Sequence, residues 1–198
     1  MLGEFRRVGR DLFLTGLVSS HAGNLSVRLG DRIVITRRGA RLGHLRRHDL
    51  VETGLYEDDS GIALASSEIR VHRAIYQETS ALSVVHAHPP YTVALSLTRE
   101  AVIPVDSEAS YLLHRVPVLS AEKTIGSAEV AALVAPALRD YKIVILRGHG
   151  TFAVGQFLEE ALQWTTCLEA ASKILYLVEL SGQERREYRR GVKSYERW

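Results

Sequence analysis

Three histidines in two separate segments constrain this chain most, because one divalent ion could collect all of them. His86 and His88 stand in Val84-Val85-His86-Ala87-His88-Pro89, and His149 stands in Arg147-Gly148-His149-Gly150. Residues i and i+2 of a strand point to one face, so the imidazoles of His86 and His88 can reach the same ion. Pro89 lacks an N–H and biases His88 toward extended backbone, which suits the end of a strand. Strand ends are common places for sites in α/β proteins. The chain is therefore a candidate metal-dependent enzyme.

Hydrophobic periodicity supplies the surrounding elements. It predicts a helix over Gly3 to Val18, then a hairpin of Asn24–Arg28 and Arg32–Thr36 turned at Gly30-Asp31. Ser67-Glu68 reads as the N-cap of a helix reaching about Thr79. Ser80 to His88 reads as a buried strand and Pro90 to Leu97 as a short helix. Ser127 to Leu138 follows as an Ala/Val/Leu-rich helix, Lys142 to Leu146 and Thr151 to Val154 as strands, and Phe157 to Leu180 as a long helix. Hairpins mixed with helices predict a mixed, largely antiparallel sheet covered by helices rather than a doubly wound parallel one.

Composition limits the alternatives. With 198 residues, 46% of them hydrophobic, the chain fits one domain over 1–198 with a sizeable core, and 181–198 forms a basic tail. A net charge of +2 does not suggest a nucleic-acid partner. The apolar runs are too short for a bilayer, and the first residues lack a signal-peptide core. Cys167, the single cysteine, reads as a small core residue in a reducing, cytoplasmic compartment.

Neutral imidazole suits zinc and its first-row neighbours, and three protein ligands with an open fourth position are the pattern of a catalytic site. The bland readings are hydrogen-bonded structural histidines at 86 and 88, and a tight turn at Gly148-His149-Gly150. A turn can also aim a ligand, so both readings can hold there. Glu68 follows Ser66 and Ser67. It reads either as an exposed acid favoured by the helix dipole or as a proton shuttle beside an anion-binding helix end. Gly23-Asn24 and Thr36-Arg37-Arg38-Gly39 alone would be turn chemistry.

Together, five runs resemble the class II aldolase family, which includes L-fuculose-phosphate aldolase and L-ribulose-phosphate 4-epimerase. They are Ala22–Arg28, Ile35–Gly39, Ser66–Glu68, Val85–Pro89 and Leu146–Gly150, in family order within roughly Phe5 to Leu180. The resemblance implies a three-layer α/β/α sandwich around a mostly antiparallel sheet. It also implies a homotetramer with active sites at subunit interfaces. By that likeness His86, His88 and His149 bind Zn²⁺ or another divalent ion such as Mn²⁺ or Co²⁺. Glu68 is the acid/base and ligates the metal when substrate is absent. Gly23, Asn24, Gly39, Ser66 and Ser67 hold a substrate phosphate, together with position 38. Tyr111 is the candidate aromatic acid/base lent to a neighbouring subunit, or else a half-buried structural tyrosine.

Position 38 departs from the family, which usually has a small hydroxyl residue there. Arg38 either binds phosphate or carboxylate bidentately, or points to solvent or fills the pocket. His21 likewise stands where a small residue is common. The implied reaction is cleavage of a carbon–carbon bond in a sugar-phosphate-like hydroxy-carbonyl compound through a metal-stabilised enediolate. Decarboxylation, epimerisation and dehydration share that design. The non-catalytic alternative is an adducin-head-like interaction domain, against which the retained histidines and Glu68 argue.

Overall fold

The computed structural model describes residues 1–186, so Tyr188, Tyr195 and Trp198 of the tail lie outside the described residues. The first helix, α1 (Leu2–Leu14), buries Phe5, Val8 and Leu12 along one stripe. It ends four residues before the expected Val18, because Gly16 turns the chain at φ +74 and Leu17 drops into the core. The hairpin β1 (Asn24–Leu29) and β2 (Arg32–Thr36) pairs Leu29 with Arg32 across Gly30-Asp31. A strand not expected from the pattern, β3 (Leu50–Gly54), then pairs with β2 at the sheet edge.

The helix α2 (Ile69–Glu78) has Glu68 itself, not Ser67, at the N-cap position. The expected strand from Ser80 is shorter: β4 spans Ser83–Ala87, and His88 lies just beyond it. The helix α3 (Pro90–Ser96) opens on its proline. Three short elements follow that periodicity did not resolve: β5 (Ala101–Val102), α4 (Ser107–Leu112) and β6 (Val116–Leu119). The helix α5 (Ala128–Ala137) is capped by Ser127, whose hydroxyl accepts from the Val130 N–H at 3.0 Å. The last elements are β7 (Ile143–Leu146), β8 (Gly150–Gly155) and α6 (Leu158–Leu180).

The eight strands form one sheet in the order β3-β2-β1-β4-β8-β7-β6-β5. Every pair is antiparallel except β6 with β7. One core carries α1, α3, α4 and α6 on one face, and a second carries α2 and α5 on the other. The mixed α/β/α sandwich is thus the observed architecture. β4 lies inside it with Val85 facing the first core and Val84 the second, so its residues are buried whichever way they point.

Candidate metal centre

β4 and β8 bring the two histidine segments together. The ladder sets His86 opposite Phe152 and Ala87 opposite Thr151, so the β7–β8 turn carries His149 to the end of β4. Glycine is required at 150, where a Cβ would sit 2.3 Å from the Ala87 carbonyl oxygen. The turn is clamped from outside. Arg147 donates to the Ser96 carbonyl at 2.5 Å and to Ser120 Oγ at 2.8 Å, and the Gly148 N–H donates to Ser96 Oγ at 2.9 Å. On the other segment, the His88 N–H donates to the Leu17 carbonyl at 2.8 Å, and the Glu169 carboxylate accepts from the N–H groups of Tyr91 and Thr92, both at 2.9 Å. Both ligand-bearing turns are therefore braced by polar groups that sequence reading did not single out.

The donor atoms of His86, His88 and His149 lie within 4.8 Å of one another. His86 donates from Nδ1 to the Thr151 carbonyl at 2.9 Å and stacks on Phe152, which fixes its tautomer and leaves the Nε2 lone pair free. That Nε2 is 3.0 Å from His88 Nε2. A tetrahedral ion with nitrogens about 2.0–2.1 Å away keeps any two of them a little over 3 Å apart. Burial holds His86 well below the usual imidazole range, reinforced by His88 and His149, and it lowers His88 to about 4. His149 is lowered by the same cause, against the neighbouring Thr124 carbonyl. All three rings are neutral near pH 7, as a metal requires. His149 Nδ1 is buried without a hydrogen-bond partner among the described residues. Three converging neutral donors and an orphaned ring nitrogen fit a divalent ion.

Glu68 is 3% exposed, which removes the reading of it as an exposed acid at a helix end. Its Oε1 accepts from the Gly126 N–H at 3.1 Å, and Oε2 is buried without a partner among the described residues. Burial lifts the carboxyl to about 7, with the Gly126 N–H acting the other way. The loop from Thr124 to Gly126 touches both His149 and Glu68 and so joins acid to histidines. The cluster of donors itself comprises the three histidines, with Glu68 outside it.

The expected anion-pocket residues come from adjacent segments. Asn24 stands opposite His86 in the β1–β4 ladder, directly after Gly23. An isolated bridge joins Arg37 to Ala65, and the Arg38 N–H donates to the Leu64 carbonyl at 3.0 Å, which sets Arg38 opposite Leu64 and brings the end of β2 against the segment that leads into Ser66 and Ser67. Ser66 Oγ accepts from the Glu68 N–H at 3.2 Å, while Ser67 is exposed. Arg38 is exposed, and its guanidinium makes no hydrogen bond among the described residues. His21 is also exposed, with Nδ1 2.9 Å from Ser20 Oγ. Tyr111 is 45% exposed on α4, whose last carbonyl accepts from Lys142 at the opposite end of β7 from His149. Within one chain it does not join the histidines.

A mostly antiparallel sheet between helical layers, with three histidines gathered at strand ends, defines a class of metal-dependent lyases. The chain matches the family described as the Class II Aldolase and Adducin N-terminal domain over residues 4–176, and it belongs to that family. The crystal structure of an L-fuculose-1-phosphate aldolase from Thermus thermophilus superimposes with a TM-score of 0.87 at 40% identity, covering 93% of this chain and 97% of that one. An L-fuculose phosphate aldolase of Methanococcus maripaludis is 30% identical over 178 residues, 89% of this chain and 97% of its own. A 3-oxo-tetronate 4-phosphate decarboxylase of Pectobacterium atrosepticum is 28% identical, covering 88% and 83%. The chain is a class II aldolase-type carbon–carbon lyase.

Proposed function

We propose that this enzyme cleaves a phosphorylated ketose of the L-fuculose 1-phosphate kind, in the cytoplasm, as a homotetramer with interfacial active sites. His86, His88 and His149 hold Zn²⁺ or a similar divalent ion such as Mn²⁺ or Co²⁺. The observation that carries the reading is a buried carboxyl with one free oxygen, held by a loop that also reaches His149 of a three-imidazole cluster. When bound, the ion supplies Lewis-acid stabilisation of negative charge developing on substrate oxygen.

The chain's own residues do the rest. Glu68, lifted to about 7, gives and takes a proton at the reacting carbon near neutral pH. The Gly126 N–H keeps Oε1 still while Oε2 works. Asn24, Ser66, Ser67 and the Arg38 guanidinium supply donors to the phosphate, and Gly23 and Gly39 let backbone approach it. Tyr111, exposed on its own chain, serves the site of a neighbouring subunit.

Arg38 is equally suited to a carboxylate, and that favours β-keto-acid decarboxylation as the second reading. The test is metal content before and after chelation, alongside cleavage of a panel of ketose 1-phosphates. About one ion per chain with chelator-sensitive cleavage supports the aldolase reading. Metal without cleavage transfers the assignment to a decarboxylase. In the same assay His149→Ala is expected to lose metal affinity by at least ~10²-fold and turnover with it, while the fold persists. Retention of both removes His149 from the centre.

A further inference from the structure

A buried hydrogen-bond chain runs from the Tyr76 hydroxyl to Asn24. Asn24 and Ser26 stand opposite His86 and Val84 in the β1–β4 ladder and so share the face covered by α2. His72 and Tyr76, one turn apart on α2, are both fully buried there. The Tyr76 hydroxyl lies 2.7 Å from Ser26 Oγ. Ser26 Oγ lies 2.6 Å from His72 Nδ1, and His72 Nε2 lies 2.5 Å from Asn24 Oδ1.

The direction of this chain follows from its far end. The Tyr76 hydroxyl is fully buried, so its hydrogen needs an acceptor within the protein. Among the described residues its one acceptor is Ser26 Oγ. Ser26 therefore turns its hydrogen to His72 Nδ1. Burial lowers His72 to about 3, so the ring is neutral and carries its single hydrogen on Nε2. That hydrogen is donated to Asn24 Oδ1. The carboxamide oxygen is thereby used, and the Asn24 amide nitrogen makes no hydrogen bond among the described residues.

We propose that the Tyr76–Ser26–His72 chain is a positioning device that locks the Asn24 carboxamide with its N–H donors toward the anion pocket. The locked amide restricts that subsite to hydrogen-bond acceptors such as phosphate oxygens. A flipped amide would set its NH₂ against the His72 Nε2–H and present a carbonyl oxygen to the anion. It would lose a buried hydrogen bond and repel the ligand together. His72 acts through Asn24 and is a positioning residue. The proposal rests on the reading of Asn24 as a phosphate ligand.

Two measurements test it. ¹⁵N NMR of imidazole-labelled protein should give His72 as the Nε2–H tautomer throughout pH 5 to about 9. An Nδ1–H tautomer reverses the chain and overturns the proposal, and this readout needs no variant to fold. Calorimetric titration of the metal-loaded protein with inorganic phosphate then compares His72→Phe, His72→Gln and Asn24→Ala. His72→Phe should bind phosphate about tenfold more weakly at unchanged metal content. His72→Gln, which can donate to Asn24 and accept from Ser26, should restore most of the loss. If Asn24→Ala weakens phosphate binding but His72→Phe does not, the positioning role is wrong. If Asn24→Ala itself binds phosphate normally, the phosphate assignment of Asn24 fails and the proposed role of the chain falls with it. In that case the tautomer still reports whether the chain runs as drawn.

Discussion

Glu68 and Gly126 are joined by a backbone hydrogen bond of 3.1 Å that ties one carboxyl oxygen down and leaves the other buried and free. Gly126 reaches this position at φ +58, where a Cβ would lie 2.3 Å from the Ser67 carbonyl oxygen. An acid held in this way is aimed as well as buried.

The pH dependence of the metal-free protein should report that burial. The Glu68 carboxyl is lifted from 4.5 to about 7, so the folded state holds a proton that the unfolded chain gives up earlier. Its favourable contribution is complete below about pH 4.5 and is lost as pH rises through 7. Relative to Glu68→Gln, the wild type should lose about 3 kcal/mol across that window. The buried histidines titrate in the opposite sense in both proteins and cancel in the difference. Denaturant unfolding at a series of pH values measures it, and parallel curves would mean that Glu68 is solvated. Turnover of Glu68→Gln should fall by at least ~10²-fold.

Gly126→Ala should damage the site without touching a histidine. The added methyl meets backbone and demands a left-handed conformation, so a destabilisation of more than about 1 kcal/mol is expected. The loop must shift, and with it the tether on Glu68. The expected result is a kcat about tenfold or more below wild type at unchanged metal content. Native kcat would show that Glu68 needs no partner at 126.

Arg38→Ser probes the departure at the phosphate pocket. The exposed guanidinium has no partner among the described residues, and the Arg38 backbone is tied to Leu64, two residues before Ser66. Its loss should raise KM for a ketose 1-phosphate by about tenfold and leave kcat within about twofold. Tighter binding of the phosphate ester would instead identify Arg38 as an obstruction.

Much of the fold is legible in the chain alone. Strong periodicity locates α2, long helix-favouring apolar runs locate α5 and α6, and the hairpin turn at Gly30-Asp31 sets β1 against β2. β5, α4 and β6 escape because two to six residues are too few for a period to stand out, and Pro117 interrupts the β6 pattern. At the site, His86, His88, His149 and Glu68 stand out by residue type and local setting. Ser96, Arg147 and Gly126 do not, because a bracing role leaves no local signature. Gly126 stands just before the Ser127 cap of α5, where the pattern marks only the start of a helix.

Local spacing and side-chain chemistry are sufficient to establish the inventory: which ligand types are present, which segments are strands or helices, and which family the pattern resembles. Packing in three dimensions adds that Glu68 is buried and raised rather than solvated, and that α2 lays His72 and Tyr76 over Ser26 and Asn24. It adds too that the β4–β8 register brings His149 to His86. Desolvation, ladder register and the direction of a hydrogen-bond chain are each set by partners distant in sequence, so no local pattern encodes them.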